Sequence, residues 1–286
     1  MDRSVEGWIH GLMGMVIFSG SLPATRLAVA DLSPLFLTSG RAVVAAVLAA
    51  AILAMFRPKL PARADWVALI PVAAGVVVGF PLLTALALQH ISAARSVVFI
   101  GLLPLATALF GVLRGGERPR PMFWLFSGIG AAAVAGFALV NGGAGSLRGD
   151  LSMIAAVLLC GLGYAEGAVL SRRLGGWQVI SWALLLALPL MAAFALATLP
   201  ASWTAVGAPA WLGFAYVSVF SMLIGFVFWY RGLALGGTAR VGQLQLLQPF
   251  ISLVLSALLL REIVSWPMLA TTGLVVLCVA GAKRSA

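Results

Sequence analysis

Charge is scarce in this chain. Of its 286 residues only 9% are charged, with eight Asp and Glu against eighteen Lys and Arg, and there are two His and two Cys. A soluble domain keeps about a quarter of its residues charged, so a polar shell around an ordinary core is excluded. Hydrophobic residues make up 62% and mean hydropathy is +1.10, which makes lipid the solvent for most of the surface. Cys160 and Cys278 both sit inside apolar runs, where a small polarizable side chain fills space, so neither a disulfide nor a metal site can be read from them. There is no metal-binding pair of His on a helix, no pair of membrane Asp, no P-loop and no Gly-x-Ser-x-Gly elbow. An enzyme would lack its reagents, and the sequence calls for no cofactor. The net charge of +10 is not gathered into the basic stripe that nucleic acid requires, so nucleic acid is excluded as a partner. Lys and Arg instead form short clusters between apolar runs, where they set orientation in a bilayer.

A bilayer core of about 30 Å needs about 20 apolar helical residues to cross it, because every backbone polar group must be bonded internally. Ten runs meet that demand: Trp8 to Ala30, Pro34 to Phe56, Trp66 to Leu88, Ser92 to Leu113, Pro121 to Val140, Leu151 to Leu170, Trp177 to Leu199, Trp211 to Leu233, Thr238 to Leu260 and Trp266 to Lys283. Half of them open on Trp, as indole anchors at a membrane interface do. The first run is too long for a signal peptide and lacks a cleavage site, so it is expected to remain as helix 1. With a cytoplasmic N-terminus, thirteen Lys and Arg fall inside and five outside, accounting for all eighteen. The expected protein is therefore an all-α, multi-pass integral membrane protein with ten transmembrane helices and both termini cytoplasmic.

The chain also repeats itself. Arg95, Pro104, Glu117, Gly128 and Gly136 recur as Arg240, Pro249, Glu262, Gly273 and Gly281, all at one offset of 145 residues without a gap. Residues 1–145 and 146–286 thus read as two five-helix repeats, and because five is odd the second must be inverted relative to the first. The Pro, the Glu thirteen residues on and the following helix with two glycines, present in each half, resemble the EamA-type carriers of the drug/metabolite transporter superfamily. The resemblance covers essentially the whole chain. It implies export or exchange of small metabolites across a bacterial inner membrane, with a central cavity lined by helices 1, 3, 4, 6, 8 and 9. Within the family, the YddG-type aromatic amino acid exporters are the nearest in character. Two inverted halves in one monomer build their own path, whereas a channel would want rings of charge or carbonyls around an oligomeric pore.

Helix 9 carries the strongest site signal. Thr238, Gln245, Gln248, Ser252 and Ser256 recur along one face, a stripe that reads either as a wet cavity wall or as polar glue between helices. Broken symmetry favours the wall, since Gln243, Gln245 and Gln248 correspond at the repeat offset to Val98, Ile100 and Leu103. An apolar wall would come from Phe99 on helix 4, Phe80 and Thr84 on helix 3, and Tyr164 on helix 6, with Ser19 of helix 1 completing the candidate substrate site. Pro104 and Pro249 each delete an intrahelical hydrogen bond, so helices 4 and 9 should break there, as static kinks or as hinges. Trp229 and Tyr230 read as interface anchors, and the repeated glycines as close helix contacts.

Intramembrane charge points to function by default. Glu166 is expected to pair with Arg173 rather than to carry protons, and Arg41, seven residues into helix 2, either anchors helix carbonyls or meets a substrate carboxylate. Helix 1 has no acid from Trp8 to Ala30. That absence argues for alternating access without obligatory proton coupling.

Overall fold

The computed structural model describes residues 3–115, 121–140, 146–236 and 241–284, and within them every regular element is a helix. Five helices are long and apolar enough to cross a membrane: Pro34–Phe56, Arg63–Ala87, Leu147–Leu174, Gly176–Ala197 and Ala208–Leu235. The apolar segments Ala93–Thr107, Trp124–Ala133, Leu244–Leu260 and Trp266–Cys278 are shorter. Large apolar side chains such as Val67, Leu196, Leu212, Leu258 and Leu277 expose more than half of their surface, a pattern suited to contact with lipid.

Packing between the halves is reciprocal. Arg3–Ser19 lies against Gly225–Gly236 just as Leu147–Leu174 lies against Ala73–Gly79 and Phe80–Ala87. Pro34–Phe56 packs on Gly176–Ala197, Ala93–Ile100 on Gln248–Leu260, and Pro121–Val140 on Trp266–Arg284. When the halves are exchanged, these contacts map onto themselves or one another, except that of Ala93–Ile100 with Gln248–Leu260, which maps onto the contact between Leu103–Gly115 and Gly242–Leu246.

The backbone irregularities repeat as well. Ala73–Gly79 and Tyr216–Ile224 are wide-turned π segments, and residues 73–79 shifted by 145 fall within the second. Pro104 and Pro249 each take the second position of an α segment, Leu103–Gly115 and Gln248–Leu260, where a missing N–H removes no hydrogen bond. The turn before each proline tightens: Leu102 N–H donates to Phe99 O at 2.9 Å, and Leu247 N–H to Leu244 O at 3.0 Å, again one offset apart.

One break has no counterpart in the sequence reading. The first apolar run stops at Gly20, dividing Arg3–Ser19 from Ser21–Ala28. A side chain at Gly20 would strike the Tyr216 hydroxyl, whose O–H donates to Ile17 O at 2.7 Å. Ser252 Oγ donates to Ser19 O at 2.9 Å, so carbonyls around the break are satisfied by side chains from the second half.

Three expectations are corrected. Of the four repeated glycines only Gly281 is closely approached, by the Phe126 ring, while Gly128, Gly136 and Gly273 face open space; backbone approaches fall elsewhere, where a Cβ on Gly75 would strike Leu159 O and one on Gly232 would lie 2.6 Å from Gly11 N. Trp229 and Tyr230 are not interface anchors, because they are 1% and 0% exposed and pack among Phe18, Tyr164 and Phe226. Arg173 is held at 2.7 Å by Asp65 from the Arg63–Val72 helix, which packs beside Leu147–Leu174, rather than by Glu166 on its own helix.

Candidate functional site

The irregular segments converge on one cavity. Its wall is built from Phe18, Ser21, Leu22, Arg41, Val76, Phe80, Pro81, Ile100, Leu103, Cys160, Tyr164, Ser221, Phe226 and Gln248. Three pairs of these, Val76/Ser221, Pro81/Phe226 and Leu103/Gln248, are equivalent at the repeat offset of 145, so the cavity sits on the seam between the halves. Val76 and Ser221 belong to the two π segments, where a widened turn re-aims side chains inward. In two of the pairs the first half gives an aliphatic side chain and the second a hydroxyl or amide. At these two pairs the polarity of the wall comes from sequence divergence between the halves.

Inside it, Ser21 Oγ and Ser221 Oγ lie 2.7 Å apart, and Arg41 Nη2 donates to Ser221 Oγ at 3.2 Å. Arg41 is 5% exposed and its Nε has no hydrogen-bond partner. Among the described residues, no acidic side chain lines the cavity. The cavity volume is only about 30 Å³. That is room for a couple of waters, so a metabolite enters only if the walls part.

The candidates from sequence divide in two. Tyr164, Phe80 and Gln248 line the cavity. Gln245, Thr84, Phe99 and Ser19 are buried behind the wall: Nε2 of Gln245 and Oγ1 of Thr84 have no partner, Phe99 is wholly enclosed, and Ser19 Oγ donates to Met15 O at 2.9 Å. Thr238, Arg240 and Glu117 lie outside the described residues. Ser21, Ser221, Phe18 and Phe226 were missed. Ser221 was within reach, since its opposition to Val76 is the same broken symmetry that singled out the glutamines.

A second polar cluster lies away from the cavity. Arg95 donates through Nε to Asp150 Oδ1 at 2.9 Å and through Nη2 to Oδ2 at 2.7 Å, with its guanidinium 5.0 Å from the Phe137 ring centre. Glu262 accepts from the backbone N–H groups of Ala93 and Ala94 at 3.1 and 2.8 Å, capping the helix that Arg95 sits on. The sequence reading assigned Arg95 to the outer charge count; the structure buries it to 2% exposure.

A cavity on the seam of a duplicated, lipid-exposed helical bundle defines a membrane carrier. The chain belongs to the EamA-like transporter family, whose pattern matches residues 6–139 and again residues 147–282. It is 63% identical over 286 residues, the full length of both chains, to an uncharacterized transporter, YdeK, of Bacillus subtilis (strain 168). A crystal structure of 20% identity superposes with a TM-score of 0.68 over 96% of each chain, which establishes the shared fold alone. The protein is a multi-pass membrane transporter of the drug/metabolite type and not an enzyme.

Proposed function

We propose that the chain exports or exchanges small metabolites, amino acids including aromatic ones, across a bacterial inner membrane, in the manner of the YddG-type exporters. Ten spans run in two inverted halves, 1–145 and 146–286, with both termini cytoplasmic, and a monomer suffices. The observation that carries this reading is the cavity: repeated irregular backbone meets there, and its lining is a set of rings with a few placed polar groups, as a site for a moderately large, partly apolar solute should be. Gln248 and Tyr164 supply neutral hydrogen-bonding groups, while Phe18, Phe80 and Phe226 hold an apolar body. Rocking of the halves, with bending beside Pro104 and Pro249, opens the narrow site to one side at a time.

Among the described residues no acid lines the cavity, which supports transport down the solute gradient without obligatory proton exchange. Purified protein in liposomes loaded with unlabelled phenylalanine should take up labelled phenylalanine by counterflow, with saturation. A pH gradient alone should drive no accumulation, and Glu166→Gln should exchange at the wild-type rate. Proton-driven accumulation abolished by Glu166→Gln would establish the alternative, a proton-coupled antiporter.

A further inference from the structure

Arginines in this bundle are engaged by oxygen of full or partial negative charge wherever they serve the fold. Arg26 donates to the Leu88 carbonyl, Arg95 grips both oxygens of Asp150, Arg173 meets Asp65, and Arg231 meets Glu6. Arg41 differs. It is 5% exposed, it faces the cavity, its Nη2 reaches only the Ser221 hydroxyl, and its Nε has no partner. A buried guanidinium carries a heavy desolvation penalty unless an anion and further hydrogen bonds offset it. Among the described residues, nothing lining the cavity provides that anion.

The neighbours of Arg41 offer a donor. Ser221 Oγ accepts from Arg41 and is hydrogen-bonded to Ser21 Oγ at 2.7 Å, so the two hydroxyls together have one proton left to give. A guanidinium edge beside a hydroxyl pair with one proton to give matches a group with two acceptor oxygens and no proton of its own, which is a carboxylate. Around this polar edge stand Phe18, Phe80, Tyr164 and Phe226, whose rings can take the rest of the molecule. An ammonium group would meet the reverse situation: only neutral oxygens, and the repulsion of Arg41.

We propose that Arg41, with Ser221 and Ser21, is the carboxylate-binding element of the cavity, and that the site selects organic monocarboxylates with an apolar or aromatic body whether or not they bear an amino group. The inference rests on the cavity being the transport site. It widens the substrate class from amino acids to apolar monocarboxylates in general, and it rejects amines.

Full-length protein in liposomes tests it with three solutes of one shape: 3-phenylpropionate, phenylalanine and 2-phenylethylamine. Wild-type protein should exchange labelled 3-phenylpropionate, phenylalanine should compete, and 2-phenylethylamine should not. Arg41→Gln should lower 3-phenylpropionate exchange by about tenfold or more without lowering the melting temperature, because a buried charge–charge contact is lost from the bound state. Arg41→Lys should retain part of the rate. Ser221→Ala, a gentler change, should raise the half-saturating concentration several-fold. Wild-type rates for Arg41→Gln, per folded carrier, would overturn the assignment, as would competition by 2-phenylethylamine equal to that by phenylalanine. Exchange of phenylalanine without 3-phenylpropionate would overturn the inference and leave the amino acid reading standing. Exchange of 3-phenylpropionate without phenylalanine would uphold the carboxylate site and end the amino acid reading.

Discussion

Two arginines of the first half, Arg95 and Arg41, are buried to almost the same degree, at 2% and 5% exposure, and are held in opposite ways. Arg95 is neutralised by a two-pronged contact with Asp150 and lies against the Phe137 ring. Arg41 has one hydroxyl and an unpartnered Nε. Burial alone therefore does not tell a structural charge from a functional one; the completeness of its partner set does. The first is a closed contact and the second an open one that a solute completes.

The largest effect expected from breaking this contrast is on stability. Asp150→Ala leaves Arg95 buried without a counter-charge, which should cost about 3–5 kcal/mol and lower the melting temperature in detergent accordingly. Adding Arg95→Met to Asp150→Ala should restore most of the loss, since a buried pair replaced by apolar groups is often neutral. Arg41→Gln should not lower the melting temperature, because no acid loses a partner and a buried charge is removed. A loss from Arg41→Gln as large as that from Asp150→Ala would make both arginines structural and remove the distinction.

Next in size is the clasp that positions the Arg95 helix. Both carboxylate oxygens of Glu262 accept backbone N–H groups at the start of Ala93–Ile100, where the positive end of the helix dipole also favours negative charge. Glu262→Gln keeps one acceptor oxygen and loses the charge, for which a cost of about 1–2 kcal/mol is expected. Thermal unfolding should show that drop, smaller than the one from Asp150→Ala. An unchanged melting temperature would mean that water replaces the carboxylate without loss.

How much of this was readable from sequence follows from the range of the interactions involved. The apolar runs and the duplication needed only composition and a fixed offset, and both reappear in the helices and their reciprocal packing. The turns before Pro104 and Pro249 were legible because proline acts on its own helix. The break at Gly20 was not, since it depends on Tyr216 and Ser252 arriving from the other half to satisfy its carbonyls. Gln248, Tyr164 and Phe80 were marked by local pattern, whereas the status of Arg41 turned on whether any distant segment offered an acid. Likewise Trp229 looked like an anchor by its position near a helix end and proved to be core because Phe18 and Tyr164 pack on it. Repeated glycines misled for a similar reason: Gly128 and Gly273 recur at the offset but meet no neighbouring backbone.

The smallest effect belongs to an exposed arginine. Arg231, 55% exposed, donates to Glu6 Oε1 at 2.6 Å, outside the apolar part of the first helix. That hydrogen bond is the main cause holding the Glu6 carboxyl below its ordinary value of 4.5, with the charge of Arg231 adding to it. A carboxyl whose folded-state value is depressed contributes stability above its unfolded value and loses it as pH falls through the lower, folded one. Because both groups meet solvent, screening leaves only a small effect. Melting temperatures of wild type and Glu6→Gln, followed from about pH 6 to about pH 3, should differ slightly at the upper end and converge on acidification. Added salt at the higher pH should also bring them together. A gap that widened with acid, or that ignored salt, would show that Glu6 acts through packing. The ranking of the three arginines by the completeness and dryness of their partners would then fail at its exposed end, where solvent should weaken the pair most.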